Sequence, residues 1–315
     1  MSSRSPRGDD PLDPGLNAVM SERRKLINLS YRLLGSLADA EDVVQETYVR
    51  WYAMSPEQQE SIESPGGWLT KVASRVCLDM LGSARARRES YVGAWLPEPV
   101  PDRTEWMTGR PAGTAVDPAE RVTLDESVSM AFLVVLESLT PAERVAFVLH
   151  DVFRYPFNDI AEIVGRTPAA CRQLATSARR RIRAAEAPTR SNDWQAGTIR
   201  NFKQAWEAQD IGALVALLDP GAVSVADSGG LVQSTALSIE DDTEQIAQGL
   251  VALVRRLPGL TILERMVNGR PGLVVQRDGV IVTVMAFEVA GDRVTHIWAM
   301  RNPDKLRLWR TGPQD

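Results

Sequence analysis

The sequence predicts a multidomain protein with two all-α units followed by one α+β unit. Apolar residues recur at three- and four-residue spacing through most of residues 16–187, which is typical of amphipathic helices. From residue 193 two further helical stretches lead into short strand-like segments separated by turn residues, which is typical of an α+β unit. The length of 315 residues also exceeds what one ordinary core serves.

The first helical unit is predicted over residues 16–90. Apolar spacing predicts one helix that ends at Gly35 and a second helix whose first turn is rich in acid. A third helix is expected from about Trp68 into the basic segment that ends this unit. Residues 55–67 between the second and third helices are expected to be loop.

The second helical unit is predicted over residues 118–187, after a linker at 91–117 that is dense in Pro, Gly and acid. Thr140, Pro141 and Glu143 have the pattern of a capping box with proline at the first helical position. Further on, Gly165 marks a tight turn and Thr167 an N-cap, so a helix-turn-helix is predicted here.

Basic residues are concentrated in two predicted helices, although the formal net charge is -5. Residues 168–187 contain five Arg and one Glu, and residues 70–90 contain one Lys and four Arg against two acids. Residues 91–137 between them contain eight acids and three Arg. Because charges act locally, within about 8 to 10 Å, the sequence predicts two positive surfaces joined by an acidic connector.

The second helix of the helix-turn-helix is predicted to bind DNA. Its inward stripe is Ala170 or Cys171, Leu174, Ala178 and Ile182, and its outward residues are Arg172, Gln173, Thr176, Arg179 and Arg180. In a major groove such a helix offers Arg to guanine and Gln to adenine, and its last arginines reach phosphates. The alternative is a basic helix face that only contacts solvent.

Several classes of protein are disfavoured by composition. Cys77 and Cys171 lie far apart without a histidine cluster, so we expect neither a metal site nor a disulfide scaffold. No apolar run approaches the roughly 20 residues of a membrane helix. Residues 1–15 are polar and predict a disordered tail instead of a secretory signal, so a cytoplasmic protein without membrane contact is expected.

The α+β unit is predicted over residues 193–315. Two helices, a strand near 222–226, a helix near 241–256 and three further strands suggest a curved antiparallel sheet wrapped round a helix. Its candidates for acid and base chemistry are Asp227, Asp278 and His296, and His296 fits a structural role better. No phosphate loop is present in the sequence, and we expect no cofactor and no enzyme activity.

Three segments in order resemble the extracytoplasmic-function branch of the sigma-70 family, over roughly residues 16–187. "DAEDVVQETYVRWY" and "GGWLTKVASRVCLDML" are similar to region 2, and "LTPAERVAFVLHDVFRYPFNDIAEIVG" with the arginine helix is similar to region 4. The C-terminal unit resembles SnoaL-like domains of the nuclear-transport-factor-2 superfamily, which form an α+β cone. "WLPEP" at 95–99 and "NPDKL" at 302–306 are similar to motifs of the subgroup that carries this extension.

The sequence departs from this subgroup at two positions. The subgroup shows a "DGGGK"-like stretch where this chain has "DSGGL" at 227–231, so the usual role of that lysine is in doubt. Ser177 replaces a basic residue that relatives commonly carry, which weakens one expected phosphate contact.

The resemblance implies roles for four groups of residues. The ridge expected to bind a clamp coiled coil of RNA polymerase consists of Asp39, Glu41, Asp42, Gln45 and Glu46. The residues expected to bind the melted -10 element are Trp68, Lys71, Arg75, Arg85, Arg87 and Arg88, after a loop at 55–64 for the flipped base. Region 4 reads the -35 element through the outward residues named above. Cis-regulatory contacts are expected at Trp95, Leu96, Pro97, Asp227, Gly229, Gly230, Asn302, Pro303, Asp304, Lys305 and Leu306.

The expected function is therefore promoter recognition and transcription initiation with core RNA polymerase, regulated in cis by the C-terminal unit. The alternative role for Trp68 is that of a core residue. The sequence also leaves open whether the C-terminal unit binds an unknown small ligand. Two other classes compete with this interpretation: an autonomous ligand-responsive DNA-binding regulator, and a SnoaL-type enzyme fused to a DNA-binding module. The region 2 motifs argue against the former, and the few candidate catalytic residues argue against the latter.

Overall fold

The computed structural model describes residues 14–89, 93–101, 128–185, 192–230 and 239–310. The first unit contains helices α1 (Pro14–Leu34), α2 (Leu37–Tyr52), α3 (Pro56–Glu60) and α4 (Pro65–Glu89). The prediction of loop throughout 55–67 was wrong, because α3 lies within it. Ser55 and Gln58 form a capping box around Pro56, and this local cap stabilises a helix of five residues.

The second unit contains α5 (Met130–Glu137), α6 (Pro141–Phe147), a π-helical turn (Val148–Val152), α7 (Phe157–Val164) and α8 (Pro168–Ala185). The capping box of α6 is confirmed, since the Thr140 hydroxyl accepts from Glu143 N at 3.3 Å. Gly165 ends α7 with φ 68°, a left-handed conformation that glycine adopts without strain. The helix-turn-helix is thus present, whereas the expected helical start at 118–127 lies outside the described residues.

The two helical units share one hydrophobic core. A single cluster of buried side chains includes Leu33 and Cys77 of the first unit with Leu133 and Val145 of the second. Arg144, 3 % exposed, donates to Leu33 O at 2.9 Å and to Glu137 Oε1 at 2.8 Å. The two units are therefore packed together, with a guanidinium buried at their boundary.

The third unit is a six-stranded sheet with helices. Its elements are α9 (Asn192–Glu207), α10 (Ile211–Leu217), β1 (Leu218–Asp227), β2 (Ile239–Glu240), α11 (Thr243–Arg256), β3 (Leu260–Val267), β4 (Arg270–Arg277), β5 (Val280–Ala290), β6 (Arg293–Met300), a 3-10 turn (Pro303–Lys305) and α12 (Arg307–Arg310). The strand order is β2-β1-β6-β5-β4-β3, with β1 and β6 parallel and the other pairs antiparallel. This confirms the α+β prediction, but the expectation of an antiparallel sheet was wrong for one pair, because β1 returns beside β6 in parallel.

Both faces of this sheet are covered. Phe202 and Trp206 of α9 and Ile246 of α11 belong to the core on one face. On the other face, Trp298 and Met300 of β6 cluster with residues from outside the unit, namely Leu96 and Met130. The C-terminal unit is therefore packed against the linker and the second helical unit by an apolar sheet face.

Candidate nucleic-acid interface

Helix α8 has a buried face and an exposed face as the sequence predicts, but Ala175 is buried where Leu174 was expected, and Leu174 is only half-buried. Cys171, Ala175, Ala178 and Ile182 are buried, whereas Arg172, Gln173, Thr176 and Arg180 are exposed. At its start, Thr167 Oγ1 accepts from Ala170 N at 3.2 Å, so a hydroxyl caps the first turn. The exposed row can enter a major groove without any change in the helix.

Arg179 and Arg172, both predicted to bind DNA, also have partners within the protein. Arg179 is half-buried and binds the Asp151 carboxylate through two nitrogens, at 2.7 and 3.1 Å. The expectation that Arg179 simply points outward was wrong, because the π-helical turn places Asp151 beside it. The Arg172 guanidinium lies 5.5 Å from the centre of the Phe157 ring, in cation-π range.

The basic residues of α4 contact the second helical unit. Lys71 Nζ forms an ion pair with the Glu162 carboxylate, and Arg75 Nη2 donates to Glu162 O at 2.9 Å. The bond from Lys71 lowers the pKa of the Glu162 carboxyl group. Glu162 of helix α7 thus contacts two of the basic side chains that are predicted to bind the -10 element, Lys71 and Arg75.

Trp68 and three further arginines complete the predicted -10 surface. Trp68 is half-buried, and its ring lies edge-on to Trp51 at 5.3 Å, so it belongs partly to the core. Arg85, Arg87 and Arg88 continue α4, and their side chains lie outside the described residues.

Helix α2 presents an acidic ridge next to exposed apolar side chains. Its exposed acids and amide are Glu41, Asp42, Gln45 and Glu46, with Asp39 half-buried in the first turn. Val49 and Tyr52, 58 % and 55 % exposed, follow on the same helix and line an open groove of about 760 Å³. Sequence analysis missed this apolar part, although "YVRWY" places aromatic residues directly after the acids.

The C-terminal unit contacts the linker through a buried ion pair. Asp227 Oδ2 accepts from Lys305 Nζ at 2.7 Å and from Leu96 N at 3.0 Å. Lys305 also donates to Leu96 O at 2.6 Å and lies 4.2 Å from the centre of the Trp95 ring. The "NPDKL" and "WLPEP" segments therefore meet at Asp227.

The remaining predicted cis-regulatory residues shape this contact. Asn302 caps the 3-10 turn through Asp304 N, at 3.0 Å, and its side chain touches Gly229 so closely that a Cβ there would lie 2.7 Å away. Gly229 and Gly230 both have positive φ, and Leu306 is fully buried. Pro97 is buried, whereas Pro303 is half-buried.

The other proposed acid and base candidates are unsuited to joint catalysis. His296 is stacked on Trp298 at 5.4 Å, and burial lowers its pKa. Asp227 is fully buried in its ion pair, and Asp278 lies in the β4–β5 hairpin turn with φ 50°. Among the residues that the structure describes, no group of three or more His, Cys, Asp or Glu side chains could hold a metal ion.

Sequence analysis missed two residues at the centre of the contact. Glu98, 6 % exposed, accepts from Leu37 N at 2.8 Å. Asn268 is fully buried and donates to Tyr31 Oη and Val128 O, both at 2.9 Å. "NG" at 268–269 is a hairpin signal, and an acid among prolines is unusual, so both were visible as patterns but not as contacts.

No helix in the described part of the chain is long and apolar enough to cross a membrane. The comparisons with known proteins agree with the geometry. Sigma-70 region 2 matches residues 18–87, and Sigma-70 region 4 matches residues 129–182. These two matches identify the helical units as those of a sigma-70-type factor.

Individual relatives show to which branch of the sigma-70-type factors the chain belongs. The chain is 38 % identical to the ECF RNA polymerase sigma factor SigJ of Mycobacterium tuberculosis over 296 residues, covering 90 % of each chain. It is 32 % identical to the probable ECF RNA polymerase sigma factor SigI of the same species, covering 93 % of this chain and 95 % of SigI. The crystal structure of SigJ matches with a TM-score of 0.71 and covers 95 % of this chain and 100 % of SigJ. The chain belongs to the ECF RNA polymerase sigma factors.

Proposed function

We propose that this sigma factor works in the cytoplasm and adopts a closed state in which its own contacts occupy its promoter-binding residues. In this proposal α2 binds core RNA polymerase, α4 binds the -10 element and α8 reads the -35 element. The C-terminal unit regulates these steps in cis.

The position of Glu162 carries the proposal. Its carboxylate binds Lys71, and its carbonyl oxygen binds Arg75. Both basic side chains are therefore less available to bind a phosphate group. A carboxylate resembles a phosphate in charge and in its acceptor atoms, so promoter DNA and Glu162 compete for the same two side chains.

The C-terminal unit supports the closed state from outside the two helical units. Its Asp227–Lys305 ion pair holds the linker that joins the two helical units, and its sheet face covers Met130 of α5. This arrangement favours regulation in cis over an enzyme role, because Asp227 is used as an interdomain anchor.

The test is promoter-directed transcription with core polymerase and the full chain carrying Glu162→Gln or Glu162→Lys. We expect both variants to initiate more transcripts at limiting sigma factor, with the lysine variant stronger because it also repels Lys71 and Arg75. Asp159→Asn is the matched control, since Asp159 is an exposed acid on the same helix α7. Output equal to the wild type in both Glu162 variants would refute the closed state as a brake.

A duplex-binding assay without polymerase separates the alternative class of regulator. A sigma factor in the closed state is expected to bind duplex promoter weakly until core polymerase is added. Tight, sequence-specific binding by the free protein would favour the autonomous regulator.

A further inference from the structure

We propose that Glu98 is a positioning residue that couples the C-terminal unit to helix α2. Its carboxylate completes the first turn of α2, while the backbone on either side of it is held by the C-terminal unit. The segment concerned is residues 95–100, called the strap below. The proposal rests on the proposed function only in taking α2 as the polymerase-binding helix.

The first step is the capping of α2. The first four N–H groups of a helix have no partner within the helix. Ser36 serves one of them, since its Oγ accepts from Asp39 N at 3.2 Å, while its carbonyl accepts the first bond of the helix from Ala40 N at 3.1 Å. Glu98 Oε2 accepts from Leu37 N at 2.8 Å, and the neighbouring N–H of Ala38 acts to lower the pKa of the Glu98 carboxyl group. A residue 61 positions away therefore supplies what a local cap cannot.

The second step is the attachment of the strap to the first unit. Glu98 N donates to Gly35 O at 2.7 Å, and Glu98 O accepts from Tyr31 Oη at 2.7 Å. Gly35 has φ 69°, and a Cβ on it would lie 3.0 Å from the Trp95 ring. The turn between α1 and α2 is thus shaped to receive the strap.

The third step is the attachment of the strap to the C-terminal unit. Before Glu98, the backbone of Leu96 binds Asp227 and Lys305. After it, Pro99 O accepts from Trp309 Nε1 at 2.9 Å, and Val100 N donates to Asn268 Oδ1 at 3.1 Å. The C-terminal unit therefore holds the strap on both sides of Glu98.

Asn268 closes the connection. Besides Val100, it binds Tyr31 Oη, and that hydroxyl in turn binds Glu98 O. A shift of the β3–β4 turn would therefore act on Glu98 in two ways, through the backbone at Val100 and through the Tyr31 hydroxyl. Burial is the first cause of a raised pKa for the Glu98 carboxyl group, whereas its bonds to α2 and the nearby Lys305 act in the opposite direction. A buried carboxylate of this kind depends on its partners staying in place.

The test is hydrogen exchange of the full chain over a peptide that contains the first turn of α2. We expect Glu98→Ala to speed exchange there by about tenfold or more, because the N–H groups lose a charged acceptor. Glu98→Gln should speed it less, since the amide oxygen still accepts. Lys305→Met should also speed it, because Lys305 holds the strap through Leu96 O, Asp227 and the Trp95 ring.

Glu143→Gln is the matched control. Glu143 is also 6 % exposed, and its carboxylate also accepts from a backbone N–H at the start of a helix, from Thr140 N at 3.0 Å. Exchange in α2 should stay at the wild-type rate in this variant. Equal acceleration in Glu143→Gln would assign the effect to general destabilisation and overturn the proposal, and so would unchanged exchange in Lys305→Met.

Affinity for core polymerase is the second measurement. Glu98→Ala should weaken binding several-fold, and Glu98→Gln should retain part of it. Glu41→Arg, which reverses a charge on the ridge itself, tests the proposed interface separately. If Glu41→Arg binds normally, the assignment of α2 to polymerase fails, while the exchange result still decides whether Glu98 couples the two units.

Discussion

At the scale of single residues, the arginines of α8 differ in how firmly the protein already holds them. Arg172 is exposed and its guanidinium lies over the face of the Phe157 ring, so this group can turn toward a base edge. Arg179 makes a two-point ion pair that fixes its planar group. The first suits base recognition and the second suits a structural role within the helix-turn-helix.

These roles predict different mutational signatures. Arg172→Ala should change sequence preference within the -35 element by about 1 to 3 kcal/mol, as expected for a base contact. Arg179→Ala should lower initiation on all promoters alike and reduce the free energy of unfolding. Competition binding with single-base variants of the element measures the first effect, and chemical unfolding measures the second.

Asp151→Asn is the informative companion to Arg179→Ala. If Arg179 acts through Asp151, the two variants should lose similar amounts of stability and initiation, and the double variant should add little. A wild-type Asp151→Asn beside a defective Arg179→Ala would show instead that Arg179 acts directly on DNA.

At the scale of elements, local signals predicted the structure correctly apart from the capping box of α3, whereas long-range contacts were not predicted. Thr140 and Gly165 determine a cap and a turn within a few residues, so their sequence context is sufficient. By contrast, Glu98 binds a residue 61 positions away and Glu162 binds Lys71 across 91 positions. No local propensity encodes such a pairing, because it depends on how whole units pack.

The "DSGG" turn gives a prediction at this scale. Gly229→Ala should lower the midpoint of chemical unfolding, since a Cβ would lie 2.7 Å from the Asn302 side chain and φ is 66°. Gly291→Ala is the matched control, with φ 60° and nothing within 4 Å of a new Cβ. Both variants carry the strain of a left-handed conformation. The difference between their losses of unfolding free energy, about 1 to 3 kcal/mol, therefore measures the overlap of the new Cβ with Asn302. Equal losses would show that Asn302 yields freely.

At the scale of the whole molecule, the shared core makes the two helical units one cooperative body. Cys77 and Cys171 lie in the two units, and both are fully buried. Burial raises the pKa of Cys77 to about 12 and also raises that of Cys171. Neither thiol is therefore available as the reactive thiolate.

Thiol labelling tests this unity. In the native protein at pH 8, Ellman's reagent should react with neither cysteine, and in denaturant both should react with one common rate. The single variants Cys77→Ala and Cys171→Ala assign the signals. Rapid labelling of one thiol in the native protein would contradict a single joint core.

The apolar sheet face that covers Leu96 and Met130 has a consequence for how the cell can deploy this regulator. If the C-terminal unit were separated from the rest of the chain, it would expose that apolar face and become prone to self-association. Covalent linkage keeps it at a high effective concentration, with one copy for each transcription factor, regardless of expression level. Gene dosage therefore cannot change the ratio of the C-terminal unit to the helical units that it contacts, and a signal must act on the linked molecule itself.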